Sequence, residues 1–61
     1  MVTKIYWIEN TDTLNKALET LENIIPCFIK REFVEMNYSR VEIQARYEDL
    51  KTVERELAPA V

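Results

Sequence analysis

The side chains that could support catalysis or metal binding are few in this chain. Cys27 is the only cysteine, and the sequence has no histidine to activate it as a nucleophile or to join it as a zinc ligand. It follows Pro26 at the start of an apolar run, a position that favours a buried structural thiol. We therefore expect no internal disulfide, and an unpaired cysteine fits a reducing, intracellular setting.

Carboxylate pairs are present, but their neighbours favour structural roles. Glu32 and Glu42 are predicted to face each other across a hairpin that also carries four basic residues, so cross-strand ion pairs are the simplest interpretation. Glu48 and Asp49 are typical of a helix start, because no loop of spaced acidic calcium ligands follows them. The chain also has no glycine for a phosphate-binding loop. We expect no enzymatic activity, no metal and no cofactor.

The composition is that of a small, folded, acidic protein. Hydrophobic residues make up 48% of the 61 positions, charged residues 31%, and the formal net charge is −3. Nucleic-acid binding usually requires a basic surface, and the basic and acidic residues between positions 30 and 48 cancel. Nucleic-acid binding is therefore not the favoured function. Single-stranded nucleic-acid binding by aromatic side chains of the sheet is kept as an alternative, and so is a role as a small-ligand regulatory domain.

The segment after the first strand has the spacing of an amphipathic helix. Polar residues at 10–12 supply N-cap candidates, and Pro26 prevents the helix from continuing. Since the chain has no glycine, Asn23 is the expected left-handed residue at the C-terminal end. The residues predicted to share the buried face are Leu14, Ala17, Leu18 and Leu21.

A hairpin and a second helix complete the predicted elements. From Cys27 the apolar period is two, and its phase shifts near Arg31, as a β-bulge or an exposed middle would produce. The hairpin turn is predicted at 37–40, with Asn37 at positive φ. The last helix places its apolar residues on one side and ends at Pro59. The third strand has an apolar row, Val41, Ile43, Ala45 and Tyr47, and a polar row, Arg40, Glu42, Gln44 and Arg46.

The element order β-α-β-β-α predicts one α+β domain over residues 1–61. Both helices must bury their apolar faces on one side of a three-stranded sheet. We favour the strand order 2-3-1, which resembles a ferredoxin-like fold without its last strand; the order 1-2-3 is the alternative. A chain of this size buries only about 60% of its unfolded surface, so stabilisation by a partner or by self-association is expected.

The first strand, KIYWIEN at 4–10, is apolar on both faces. Alternation places Ile5 and Trp7 on one face and Tyr6 and Ile8 on the other. In the order 2-3-1 this strand is an edge, and its free backbone groups favour strand addition or a homodimer.

Function is therefore expected to lie in binding a protein partner or a second copy. The chain is predicted to be an adaptor, a regulator or an inhibitor, and its small size and acidic character are typical of proteins encoded by a virus, phage or mobile element. It is expected in the cytoplasm, or the host cytoplasm if viral, because the sequence has no apolar run long enough for a signal peptide or a membrane span. The predicted partner-binding residues are Ile5, Tyr6, Trp7, Ile8, Glu9, Asp12, Glu19 and Glu22.

Overall fold

The computed structural model describes all 61 residues. It contains three strands and two α-helices in the predicted order, with a short 3₁₀ turn on each side of the second helix. The elements are β1 (Val2–Glu9), α1 (Asp12–Ile24), β2 (Cys27–Phe33), β3 (Tyr38–Ala45) and α2 (Leu50–Leu57).

The sheet is antiparallel throughout, and β3 lies at its centre. Strand β1 pairs with β3 from Val2 opposite Ala45 to Glu9 opposite Tyr38, and β2 pairs with the other side of β3. The order β1-β3-β2 confirms the favoured topology and excludes the order 1-2-3. Both helices contribute to one apolar core with alternate residues of β3, so they cover the same face of the sheet.

Helix α1 begins as the sequence predicts and ends differently. The Thr11 hydroxyl accepts a hydrogen bond from the amide of Leu14 at 3.1 Å, which caps the first turn. At the other end Ile25 is extended, with φ −136° and ψ 153°. No residue of the chain has positive φ, so the left-handed conformation predicted for Asn23 was wrong. The Asn23 side chain instead donates to the Glu19 carbonyl at 3.0 Å.

The β2–β3 hairpin turns earlier than predicted. Strand β3 already begins at Tyr38, and the turn occupies residues 34–37, so the predicted turn at 37–40 was wrong. Tyr38 closes the observed turn with backbone hydrogen bonds to Val34 and Glu35, and that geometry does not require positive φ at Asn37. The register of β2 is unbroken, so there is no β-bulge. The apolar phase shifts because Arg31 occupies a helix-facing position.

Arg31 connects three elements on the helix side of the sheet. Its Nε donates to Ser39 Oγ at 3.1 Å, and its two terminal nitrogens donate to Asn15 at 2.7 Å and Asn10 at 3.0 Å. Ser39 is fully buried and also donates to Asn10. The guanidinium therefore ties β2 to β3 and to the start of α1, and this side-chain cluster was not predicted.

The segment between β3 and α2 forms a 3₁₀ turn where the sequence predicted more strand. Tyr47, assigned to the buried row of β3, is 82% exposed in this turn. Arg46 Nε binds the Asp49 carboxylate at 2.8 Å, and this ion pair closes the turn. The chain then enters α2, which buries Val53 and Leu57 in the core.

Candidate protein-binding surface along strand β1

One edge of strand β1 has backbone groups without a partner strand. The amide of Asn10 donates to the carbonyl of Asn37 at 2.6 Å, which fixes the phase of the β1–β3 hydrogen-bond ladder. In an antiparallel pair every second residue bonds to the neighbouring strand, so the even-numbered residues of β1 bond to β3. The amides and carbonyls that point outward belong to Thr3, Ile5, Trp7 and Glu9. We call these four residues the edge row.

The side chains of the edge row lie on the open face of the sheet, opposite the helices. The buried residues of β3 are odd-numbered, whereas the edge row lies opposite its even-numbered residues. For example, Glu42 lies opposite Ile5 and Arg40 lies opposite Trp7. Ile5 is 47% exposed and Trp7 is 63% exposed. Ile5 and Trp7 thus carry both features that strand addition needs: backbone groups free to pair with an incoming strand, and apolar side chains that can contact its residues.

The middle of the open face, where β2 and β3 lie side by side, is polar and locally neutralised. Arg40 contacts the Glu42 carboxylate at 3.2 Å and the Glu32 carboxylate at 3.5 Å. Lys30 lies opposite Glu42 in the register. The ion pairing predicted for Glu32 and Glu42 is confirmed, but each lies opposite a basic residue and not, as predicted, opposite the other.

Aromatic side chains extend the apolar surface toward the hairpin end of the sheet. Tyr38 lies opposite Glu9 and diagonal to Trp7, and it is partly exposed. Beyond it, Val34 and Met36 in the turn are also exposed. Phe28 is exposed on the same face but at the opposite corner, across from Gln44. Phe28 and Tyr38 thus share the open face, and the register shows that Tyr38 alone adjoins Trp7.

The structure does not bring all eight predicted binding residues to one surface. Ile5, Trp7 and Glu9 share the edge row, whereas the side chain of Ile8 is 2% exposed and belongs to the core. Tyr6 packs against the core and is half-buried. Tyr6 and Ile8 therefore hold β1 in place, while their neighbours present the exposed surface.

The three predicted acidic residues of α1 lie on another side of the molecule. Asp12, Glu19 and Glu22 are exposed; Asp12 and Glu19 fall on the helical face opposite the buried stripe, and Glu22 flanks the stripe. The buried stripe faces the sheet, so Asp12 and Glu19 point away from the sheet, and Glu22 lies at the side of the helix near Cys27. Trp7 is on the sheet's far face. A partner that pairs with β1 and a partner that binds these carboxylates would use different surfaces.

Tyr6 is a titratable group in this region whose environment favours the neutral form. Burial raises the pKa of the Tyr6 phenol above its ordinary value, and the nearby Glu54 carboxylate raises it further. The unfolded chain releases this proton near pH 10, whereas the folded chain retains it to higher pH. The unfolding free energy therefore falls as the pH rises above about 10.

A Tyr6→Phe variant is expected to lose less stability than the wild type between pH 8 and pH 11, because it has no phenol to ionise on unfolding. Urea denaturation at the two pH values measures this difference. Tyr47→Phe changes an exposed tyrosine and is the matched control, expected to follow the wild type. An equal alkaline loss in all three proteins would contradict the assignment to Tyr6.

Cys27 lies beneath the end of α1, where its thiol contacts the Leu21 carbonyl at 3.8 Å. Burial raises the pKa of this thiol, and Glu22 and Asp49 raise it further, so the reactive thiolate is disfavoured. This environment is that of a structural thiol. No group of three or more histidine, cysteine or acidic side chains is arranged to hold a metal ion.

No residue of the edge row lines any of the three surface hollows. The largest, about 540 Å³, lies between Lys4 on β1 and the start of α2, and its other lining residues are Tyr47, Glu48, Leu50, Lys51 and Glu54. Charged side chains dominate its lining, unlike the apolar lining usual for a small-molecule site. Neither helix is long and apolar enough to cross a membrane.

The second edge of the sheet, on β2, differs from β1. The Val34 amide donates to the Tyr38 carbonyl at 3.2 Å, so the outward backbone groups of β2 belong to its odd-numbered residues. One of these is Arg31, and the middle of the strand reads Lys30, Arg31, Glu32. Charges in the middle of an edge strand discourage pairing with another strand.

Comparisons with known proteins find no family model that matches the chain, and no similar curated protein or solved structure.

Proposed function

We propose that this chain is a non-enzymatic protein-interaction module that binds by accepting a strand at the free edge of β1. The observation that carries the proposal is the coincidence of unpaired backbone groups and exposed apolar side chains at Ile5 and Trp7. Backbone hydrogen bonds supply affinity in strand addition, and the alternating side chains supply specificity.

The proposal accounts for an edge that would otherwise be a liability. Natural sheets guard their edges with charges, proline or bulges, and β2 carries charges in this way. Strand β1 has Ile5 to Ile8 at its centre without a charge, and its register with β3 is unbroken. An unguarded edge with an apolar centre is suited to pairing with another strand.

A partner of this surface would present an extended segment with apolar residues at alternate positions. Such a partner fits the role of an adaptor, a regulator or an inhibitor. The carboxylates of Asp12, Glu19 and Glu22 offer a second, separate contact for a basic partner, and that contact would weaken as salt rises.

Single-stranded nucleic acid is the competing ligand, because Trp7, Phe28 and Tyr38 are exposed aromatics on the same face. The charges of this face favour a protein instead. Arg40, the basic residue at its centre, is paired with two carboxylates, and so it offers little to a phosphate backbone.

Affinity capture from native-source lysate tests the proposal, with tagged wild type, Ile5→Lys and the control Gln44→Lys compared at low and high salt. Gln44 is exposed on the same face but belongs to the central strand, so its substitution leaves the edge intact. We expect a protein retained at high salt by the wild type and by Gln44→Lys and lost with Ile5→Lys. Equal retention by all three, or recovery of nucleic acid that nuclease removes, would contradict it.

A further inference from the structure

The edge row of β1 reads the same in both directions. Its residues are polar, apolar, apolar and polar in order: Thr3, Ile5, Trp7 and Glu9. A strand with this pattern is complementary to an antiparallel copy of itself, as a symmetric dimer interface requires. Building on the function proposed above, we infer that the strand accepted by β1 is β1 of a second copy, related by a twofold axis that passes beside Tyr6.

The hydrogen-bond phase restricts the possible registers. Residues with outward backbone groups can pair only with residues of the same kind, so odd-numbered residues of one copy must oppose odd-numbered residues of the other. With Tyr6 at the axis, Ile5 lies opposite Trp7 of the second copy, and Thr3 lies opposite Glu9. This register pairs seven residues of each strand.

The neighbouring registers are less complementary. A shift of the axis to Ile5 places Trp7 opposite Thr3 of the second copy, and a shift to Trp7 places Ile5 opposite Glu9. Within the edge row, the register centred on Tyr6 sets an apolar residue against an apolar residue twice, whereas each neighbouring register does so once. None of the three registers opposes like charges, so the hydrophobic pattern of the edge row selects the alignment.

The resulting dimer has one continuous six-stranded sheet. Ile5 and Trp7 of both copies form an apolar cluster at the centre of its open face, where each copy alone leaves them exposed. Since each chain carries a formal charge of −3, charge repulsion opposes association, and added salt is expected to strengthen it. That dependence is opposite to the one expected for contacts made by ion pairs.

Sedimentation equilibrium over a range of concentrations and salt tests the dimer. We expect the wild type and Gln44→Lys to reach twice the chain mass of 7.3 kDa. Ile5→Lys should weaken association by about a hundredfold, because each dimer carries the substitution twice and each copy loses an apolar cross-strand contact. Circular dichroism verifies that each variant is folded. A wild type that stays monomeric, or a dimer unaffected by Ile5→Lys, would overturn the inference.

Single cysteines test the register in a Cys27→Ala background. At the proposed axis the Cα atoms of residue 6 from the two copies are expected about 4.5 Å apart, within disulfide range. Tyr6→Cys should therefore form an intermolecular disulfide under mild oxidation. Ile5→Cys and Trp7→Cys would pair with themselves only in the neighbouring registers, so crosslinking of either one without Tyr6→Cys would overturn this alignment.

The failure of this inference can be told apart from the failure of the proposed function. If the wild type is monomeric yet retains a protein partner that Ile5→Lys loses, the inferred dimer is wrong, but the proposed function as a protein-interaction module is supported. If a dimer persists in Ile5→Lys and no capture depends on Ile5, both proposals are wrong.

Discussion

Methylation of the Trp7 backbone nitrogen is expected to leave the domain folded and to abolish binding at β1. The Trp7 amide points away from β3, so its methylation removes no hydrogen bond within the domain. The added methyl group both deletes a donor and obstructs an incoming strand. A chain of 61 residues is accessible to chemical synthesis, and sedimentation and capture measure the loss of binding while urea denaturation measures stability.

Methylation at Tyr6 is the matched control, because its amide is on the side of the strand that pairs with Val41. That variant should lose stability, since it breaks a hydrogen bond of the sheet and crowds β3. Equal destabilisation by the two modifications would show that the Trp7 amide is not at a free edge. Undiminished binding after methylation at Trp7 would contradict strand addition.

Replacing Ile43 with alanine is expected to cost about 2–5 kcal/mol of unfolding free energy, because Ile43 is fully buried at the centre of β3. A domain of this length has a total stability of about 3–9 kcal/mol, so the variant should lose a large share of it. Urea denaturation followed by far-UV circular dichroism measures the change.

Gln44→Ala is the control for that prediction, since Gln44 is the next residue of the same strand and is exposed. It should change stability by no more than about 0.5 kcal/mol. Comparable losses at the two positions would contradict the assignment of alternate faces of β3, on which the placement of the open face rests.

The parts of the fold that were predictable from sequence are those set by regular spacing. The apolar stripe of α1 and the alternation in β3 specify which residues turn inward. Because both helices must bury their apolar faces, they pack on the same face of the sheet. Alternation also predicted that Trp7 and Tyr6 lie on opposite faces of β1, although it did not tell which of the two packs on the core.

Other features depend on contacts between distant residues, which single-sequence spacing does not contain. The site at Arg31 was missed because its acceptors on Asn10, Asn15 and Ser39 come from three elements. Ile8 was assigned to the binding surface because an apolar strand residue does not reveal which face the helices cover. That Tyr38 lies diagonal to Trp7 could be seen only from the observed strand register.

The central claim is that the outer edge of β1 is free in the isolated domain and becomes paired when the protein binds. Residue-resolved amide exchange by NMR tests this directly, first in dilute protein and then in the assembled or partner-bound state. We expect the amides of Tyr6 and Ile8 to be protected in both states, and those of Ile5 and Trp7 to be protected only after binding. Binding that leaves the exchange of Ile5 and Trp7 unchanged would contradict the claim.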